Sequence, residues 1–256
     1  MDIEGTVTTT PGGVQTVGRA LELLESIADG DGSSTLSSLA AACELPVPTA
    51  FRLLRSLLVL GYVRQLPSKR YALGARLIRL GESASHALSA TAEPFLRRLV
   101  ESTEETANMA MLEGDMVVYA AQVPSKHAMR MFTEVGRRVS PHCTGVGKVL
   151  LAQKSDAEVM AILKRVGMKA MTPHTITDPD DFFANLELIR NRGWAEDNEE
   201  QEIGVRCLAV AVPGSPLPAA ISVSGPGARI TNETTDSISE LLLVVAGDLS
   251  EALNAE

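Results

Sequence analysis

The 256-residue chain lacks the features that mark several protein classes. Its three cysteines are an odd number and too few for a disulfide scaffold, which predicts free thiols in a reducing compartment. Long apolar runs are missing. Leu241 to Ala246 falls far short of the roughly 20 residues that a membrane-spanning helix needs. The opening MDIEGTVTTTPGG has neither the basic start nor the apolar core of a secretory leader. No internal repeat is visible, and no motif asks for a cofactor or a metal. These absences predict a cytoplasmic protein without membrane contact. What is present is ordinary globular material, 45% apolar and 21% charged, which excludes a wholly disordered chain. The length predicts two domains.

Charge is unevenly spread. The chain carries a net −9, which argues against simple coating of nucleic acid. Yet residues 46–80 contain Arg52, Arg55, Arg64, Lys69, Arg70, Arg76 and Arg79 and no acid. The segments on either side are acidic. A purely basic window inside an acidic chain is either a solvated face or a phosphate-binding surface.

The hydrophobic pattern decides between these readings. Val17, Ala20, Leu21, Leu24, Ile27 and Ala28 recur at helical steps and predict a first helix ending at Gly30-Asp31-Gly32. Thr35 to Ala42 predicts a short second helix, capped by Ser37 or a neighbour. After a tight connection at Cys43-Glu44-Leu45, a third helix starts near Pro48 and ends at Gly61. Its inner face is Ala50, Leu53, Leu54 and Leu57. Thr49, Phe51, Arg52, Arg55 and Ser56 point outward. Two short strands around Leu66-Pro67-Ser68-Lys69 complete a hairpin. This order predicts a winged helix-turn-helix over 14–75. The third helix would enter a major groove of double-stranded DNA, and Lys69 and Arg70 at the wing would grip a neighbouring phosphate or the minor groove.

A linker helix is expected over 76–92 and a second domain over 93–256. Its predicted elements are a helix at 93–105, strands at 107–112, 116–123 and 127–133, and helices opening at Lys148, Ser155 and residue 180. Strands at 206–212 and 219–224 and a closing helix from Thr234 follow. The absence of regular β-α-β alternation predicts an α+β domain with a mainly antiparallel sheet flanked by helices.

Five segments carry a resemblance: VQTVGRALELLE, LPVPTAFRLLRSLLVLGYV, VGRRVSPHCTGVGKVLLA, RGWAEDNEEQEIGVRCLAVAVP and AAISVSGPGARIT. In this order they resemble the isocitrate-lyase-regulator (IclR) family of bacterial transcription factors. The resemblance implies a winged helix-turn-helix, a linker helix and a GAF-like effector-binding domain. It also implies homodimers, commonly paired into tetramers, on partly palindromic operators, with repression the expected mode. Val47, Pro48 and Phe51 depart from the residues usual in the family at those positions, so no operator sequence is carried over. Phe51 either touches a thymine methyl or packs against the wing.

The segment Thr144-Gly145-Val146-Gly147-Lys148-Val149 is not a nucleotide-binding P-loop, because the spacing is wrong and Val149 stands where Ser or Thr would hold magnesium. Two glycines at a helix start still offer backbone N–H groups to an anion such as a carboxylate. The resemblance implies an effector site made of backbone at Gly145 and Val146 with the side chains of Asp197, Cys207, Ser222 and Ser224. Ser222 and Ser224 are two apart on a strand and share a face. Asp197, which follows Trp194 in a loop at a helix exit, would repel a carboxylate and is expected to accept from a ligand hydroxyl or hydrate instead. Each residue taken singly also has an ordinary structural explanation. Met109 with Met111, and Met129 with Met131, would each share a strand face; Met109 and Met131 either line this pocket or fill the sheet core.

The expected ligand is a small carboxylate such as glyoxylate, pyruvate or an allantoin-pathway product, or an aromatic acid if the methionines enlarge the cavity. Two other classes compete. One is an enzyme using Cys143 or Cys207 as nucleophile with His142 or His174 as base, although neighbouring side chains on an extended stretch point apart. The other is an interaction module that senses nothing.

Overall fold

The computed structural model describes residues 14–30, 32–131, 133–215 and 217–255, with the side chains of 84–88 excepted. Contacts divide these into two units that meet in sequence at Ala84 and Ser85.

The first unit holds helices α1 (Gln15–Ala28), α2 (Leu36–Ala42) and α3 (Val47–Val59) and strands β1 (Val63–Gln65) and β2 (Tyr71–Leu73). The three helices form because each offers one apolar stripe. Leu23, Leu24 and Ile27 of α1, Leu39 and Ala40 of α2, and Ala50, Leu54 and Leu57 of α3 meet Val63 and Tyr71 in a shared core. The α1 stripe is rotated from the expected one: Leu23 is buried, whereas Val17 and Leu21 are more than half exposed. The cap of α2 is Thr35, whose hydroxyl accepts from the Ser38 N–H at 3.2 Å. Glu44, at φ 49°, takes the left-handed position that ends α2, and the Leu45 N–H then closes on the Ala40 carbonyl at 2.8 Å. β1 and β2 pair antiparallel, Arg64 opposite Ala72.

Helix α4 (Arg76–Thr103) runs without a break through Pro94. The separate helices expected before and after residue 92 are one element, since proline removes a single backbone donor without ending the helix here. Its turns up to Ala84 belong to the first unit and the rest to the second.

The second unit is built on a six-stranded antiparallel sheet, in the order β5-β4-β3-β8-β7-β6. The strands are β3 (Thr106–Glu113), β4 (Met116–Val123), β5 (Arg138–Val139), β6 (Trp194–Asn198), β7 (Val205–Ala211) and β8 (Ala219–Pro226). The helices are α5 (Gly145–Ala152), α6 (Asp156–Val166), α7 (Pro179–Arg192) and α8 (Asn232–Asn254). The side-chain period of two separates the sheet's faces. On one face Ala107, Met109, Leu208, Ile221 and Val223 pack on α8 and the second half of α4. On the other, Ala110, Tyr119, Ala195, Ala209 and Ala220 pack on α5, α6 and α7. Small residues on the second face let α5 approach closely.

Two expectations fail here. Residues 127–131 and 133 form no strand; Phe132 lies outside the described residues. The chain is instead tied by side chains as it leaves β4: the Ser125 N–H donates to Thr106 Oγ1 at 3.1 Å. The edge of β4 is taken by Arg138–Val139. Asp197, expected in a loop at a helix exit, lies in the edge strand β6, opposite Cys207. No described helix is long and apolar enough to cross a membrane.

Candidate DNA-binding face and effector site

α3 presents Phe51, Arg52, Arg55 and Ser56 to solvent, with Thr49 half-buried at its first turn. Thr49, Arg52, Arg55 and Ser56 line a shallow cavity of about 580 Å³ that also touches Thr16 of α1. The face is thus cationic, open and rimmed by hydroxyls, a surface suited to phosphate and base edges. The wing differs from expectation. Lys69 sits at its exposed tip in a left-handed conformation. Arg70 does not reach outward: its guanidinium donates to the Ser33 hydroxyl at 3.0 Å and to the Ser33 carbonyl. The wing therefore offers Lys69 and the neighbouring exposed Arg64 rather than the pair Lys69 and Arg70. Arg76 is likewise engaged, donating to the Leu60 carbonyl at 3.0 Å and stacking over Tyr62.

In the second unit the register brings the expected effector residues to one face of the sheet. Asp197 lies opposite Cys207, Cys207 opposite Ser224, and Ala209 opposite Ser222. Gly145, at the start of α5, lies against this group: a Cβ there would stand 3.3 Å from both Cys207 Sγ and the Ala209 methyl. A side chain at 145 would need these neighbours to give way slightly, so glycine suits the close approach of the α5 N-terminus to the sheet. The Thr144 hydroxyl accepts from the Gly147 N–H at 3.2 Å, leaving the Gly145 and Val146 N–H groups as the leading donors of the helix. Val146 is fully buried beside them.

The four side chains are all buried, and Ser222 completely so. Among the described residues the Ser222 hydroxyl has no nitrogen or oxygen partner; the Cys207 thiol, a weak hydrogen-bonding group, lies beside it. Asp197 Oδ1 accepts from the Glu200 N–H at 2.7 Å and the Gln201 N–H at 3.3 Å. Burial nevertheless pushes its carboxyl up to about 7, against those backbone bonds and the nearby Lys148 charge. Burial pushes the Cys207 thiol up to about 11, with the charge of Asp197 adding to it.

Several residues of the site were missed from sequence. Asn108 on β3 lies opposite Ser222 and is fully buried; Tyr119 reaches the same face from β4. Lys148 is buried and paired with the buried Glu200, whose second oxygen has no partner. A signal for Lys148 was available: α5 is apolar on every side, so it must be enclosed, and a lysine inside an enclosed helix must be paired. No comparable signal marks Asn108, because its role depends on which strand pairs with β3.

The methionines divide. Met109 is on the opposite face, buried against Val223, Ile221 and the α8 core. It lines the core and not the effector face, because β3 register puts even-numbered residues with Ser222 and Ser224. Met129 is exposed. Met131 is half-buried outside any strand, and its carbonyl accepts from the Thr106 hydroxyl at 3.0 Å, next to Ser224 in the sheet.

Among the described residues, Cys143 and Cys207 form no nucleophile–base pair with His142 or His174. Cys143 donates to Gln201 Oε1 at 2.9 Å, while His142 Nε2 faces the Lys169 carbonyl at 3.1 Å. Burial pushes the Cys143 thiol up to about 12. Among the described residues no three His, Cys, Asp or Glu side chains stand close enough to hold a metal ion.

Comparison with known proteins adds a second line. Residues 16–67 match the model of the IclR helix-turn-helix domain, and residues 83–251 that of the bacterial transcriptional regulator IclR C-terminal domain. The chain is 37% identical to the transcriptional repressor IclR of Escherichia coli (strain K12), over 96% of this chain and 93% of that one. It is 34% identical to the HTH-type transcriptional repressor AllR of the same organism, over 94% and 91%. The crystal structure of an IclR transcriptional regulator from Alicyclobacillus acidocaldarius superposes with a TM-score of 0.79 at 26% identity, covering 94% of this chain and 99% of that one.

Proposed function

Since the chain belongs to the IclR family of bacterial transcriptional regulators, we propose that it is a ligand-responsive repressor. It acts in the cytoplasm, binds a palindromic operator as a homodimer or a dimer of dimers, and senses a small carboxylate of the glyoxylate or pyruvate type. The domain plan is a winged helix-turn-helix over 14–75, a linker over 76–92 and an effector domain from 93.

On the DNA side, α3 lies in the major groove. Arg52, Arg55, Ser56 and Thr49 meet base edges and phosphates, Phe51 offers apolar contact, and Lys69 takes a neighbouring phosphate. On the ligand side, the Gly145 and Val146 N–H groups receive the carboxylate at the positive end of α5. Ser222 and Ser224 bond the ligand oxygens, Asp197 accepts from a hydroxyl or hydrate, Cys207 forms a small wall, and Met131 closes the side near Ser224.

The observation that carries the ligand reading is the Ser222 hydroxyl, fully buried, with no nitrogen or oxygen partner and only the weakly bonding Cys207 thiol beside it. An unpaired buried hydroxyl costs stability unless something supplies the missing bond. The small residues around it favour a small acid over an aromatic one, and Met109 contributes no wall that would widen the space.

Two measurements test this. Fluorescence anisotropy with operator DNA across a salt series is expected to show preference over random DNA and a steep salt dependence. Equal affinity for both DNAs would sink the regulator reading. Calorimetry with glyoxylate and pyruvate is expected to show binding that Ser222→Ala weakens about tenfold, in line with one lost hydrogen bond. Unchanged affinity in that variant removes the site.

A further inference from the structure

Resting on the ligand site just proposed, we infer that Asn108 is a further ligand-reading residue, and that Gln122 fixes the direction of its amide and hence the oxygen chemistry accepted at that end of the site. Asn108 stands in the middle of three strands. Across β4 it faces Gln122, and across β8 it faces Ser222. Gln122 Nε2 donates to Asn108 Oδ1 at 3.0 Å. With its oxygen taken, Asn108 turns its NH₂ group toward β8. There it makes one long contact, to Ser224 Oγ at 3.5 Å.

A primary amide carries two N–H donors. In a side chain with no exposed surface, one long bond leaves that donor capacity underused, and a buried amide in this state is costly. The Ser222 hydroxyl, which has no nitrogen or oxygen partner, lies directly opposite. Two neighbouring polar groups on one face thus have spare hydrogen-bonding capacity at the same place.

The two kinds of group differ in what they tolerate. A hydroxyl donates or accepts by rotating, so Ser222 and Ser224 adapt to either polarity. Asn108 cannot, because Gln122 holds its oxygen. The β3–β8 end of the site therefore presents fixed donors, and the ligand atom that fits is an acceptor: a carboxylate or keto oxygen. Gln122 itself is half-buried and does not need to touch the ligand. It is a positioning residue that acts through Asn108.

The experiment uses the full-length protein and four readouts: calorimetry with pyruvate and with glyoxylate, Tm, and operator affinity without ligand. The informative variants are Asn108→Ala and Gln122→Glu. The carboxylate of Gln122→Glu can only accept, so it draws the Asn108 NH₂ toward itself and turns the Asn108 oxygen to the ligand. Both variants are expected to lose tenfold or more in keto-acid affinity with ligand-free operator affinity unchanged; Asn108→Ala also lowers Tm through the buried volume and the Gln122 bond it removes, whereas Gln122→Glu keeps Tm. For Gln122→Glu this loss arises with Asn108 intact, which a mere packing role would not produce. Wild-type protein that binds neither acid overturns the ligand reading and this inference with it. Wild-type binding with both variants within twofold overturns this inference alone. Loss in Asn108→Ala but not in Gln122→Glu overturns the role of Gln122. An affinity loss in Gln122→Glu that comes with a fall in its Tm marks a structural role and overturns both assignments.

Discussion

Asp197 would tie the stability of the domain to the binding of the proposed ligand. Its backbone bonds from Glu200 and Gln201 favour the carboxylate, yet burial outweighs them and the group titrates at about 7 rather than at 3.8. A carboxyl with a raised folded value makes the unfolded chain release its proton first. Stability from this group is therefore highest below the unfolded value and declines as pH rises from about 4 to about 7. Asp197→Asn keeps the acceptor for both N–H groups and cannot ionise. Urea denaturation is expected to find it more stable than wild type at pH 8, with the gap closing toward pH 4. The same charge repels an anion at the Gly145 turn. The affinity of wild type for glyoxylate or pyruvate is expected to fall from pH 6 to pH 8, and that of Asp197→Asn to stay flat. A flat wild-type profile would separate Asp197 from the ligand.

At the scale of elements, the basic stretch is two surfaces with different physics. Arg52 and Arg55 project from α3 without a described partner, so their charge is free for phosphate. Each alanine substitution is expected to lower operator affinity and to reduce the slope of log affinity against log salt by about 1. Arg70 is built into the hairpin by its bonds to Ser33. Arg70→Ala is expected to destabilise the first unit by roughly 1–2 kcal/mol, the worth of a half-buried charged hydrogen bond, while leaving the salt slope nearly unchanged. Thermal unfolding and salt-series anisotropy on the same three variants separate the two roles. A slope change in Arg70→Ala equal to that of Arg52→Ala would return Arg70 to the phosphate-binding set. The same distinction between counting residues and placing them applies to Met109. Strand β3 was evident from its composition, but only pairing with β8 assigns Met109 to the core and Asn108 to the face of Ser222 and Ser224.

For the whole molecule, sensing requires that the ligand bind the two functional states with different affinity; equal affinity shifts nothing. Coupling between binding sites is reciprocal. If saturating glyoxylate or pyruvate lowers operator affinity tenfold, saturating operator must lower affinity for that acid tenfold. Anisotropy with and without the acid, paired with calorimetry with and without operator, is expected to give one factor in both directions. Ser222→Ala, which weakens ligand binding, is expected to demand more ligand for the same shift and not to change ligand-free operator affinity. Operator affinity that is indifferent to every acid that binds would reduce the second unit to a domain without a regulatory output.

Local information was enough for much of this protein. Helical spacing, the turn at Glu44 and the acid-free window together specify a winged helix-turn-helix, because those features depend on neighbours within about thirty residues. The glycines before α5 and the alternation of Ser222 and Ser224 were legible for the same reason. Long-range pairing decided the rest. Asp197 became a strand residue because β6 found an edge of β7 to pair with. Arg70 was withdrawn from the wing tip by Ser33, 37 residues away. Asn108 joined the site, and Met109 left it, through a register between strands more than a hundred residues apart. A side-chain period of two makes each such assignment hinge on a single step of register, and only tertiary structure supplies that step.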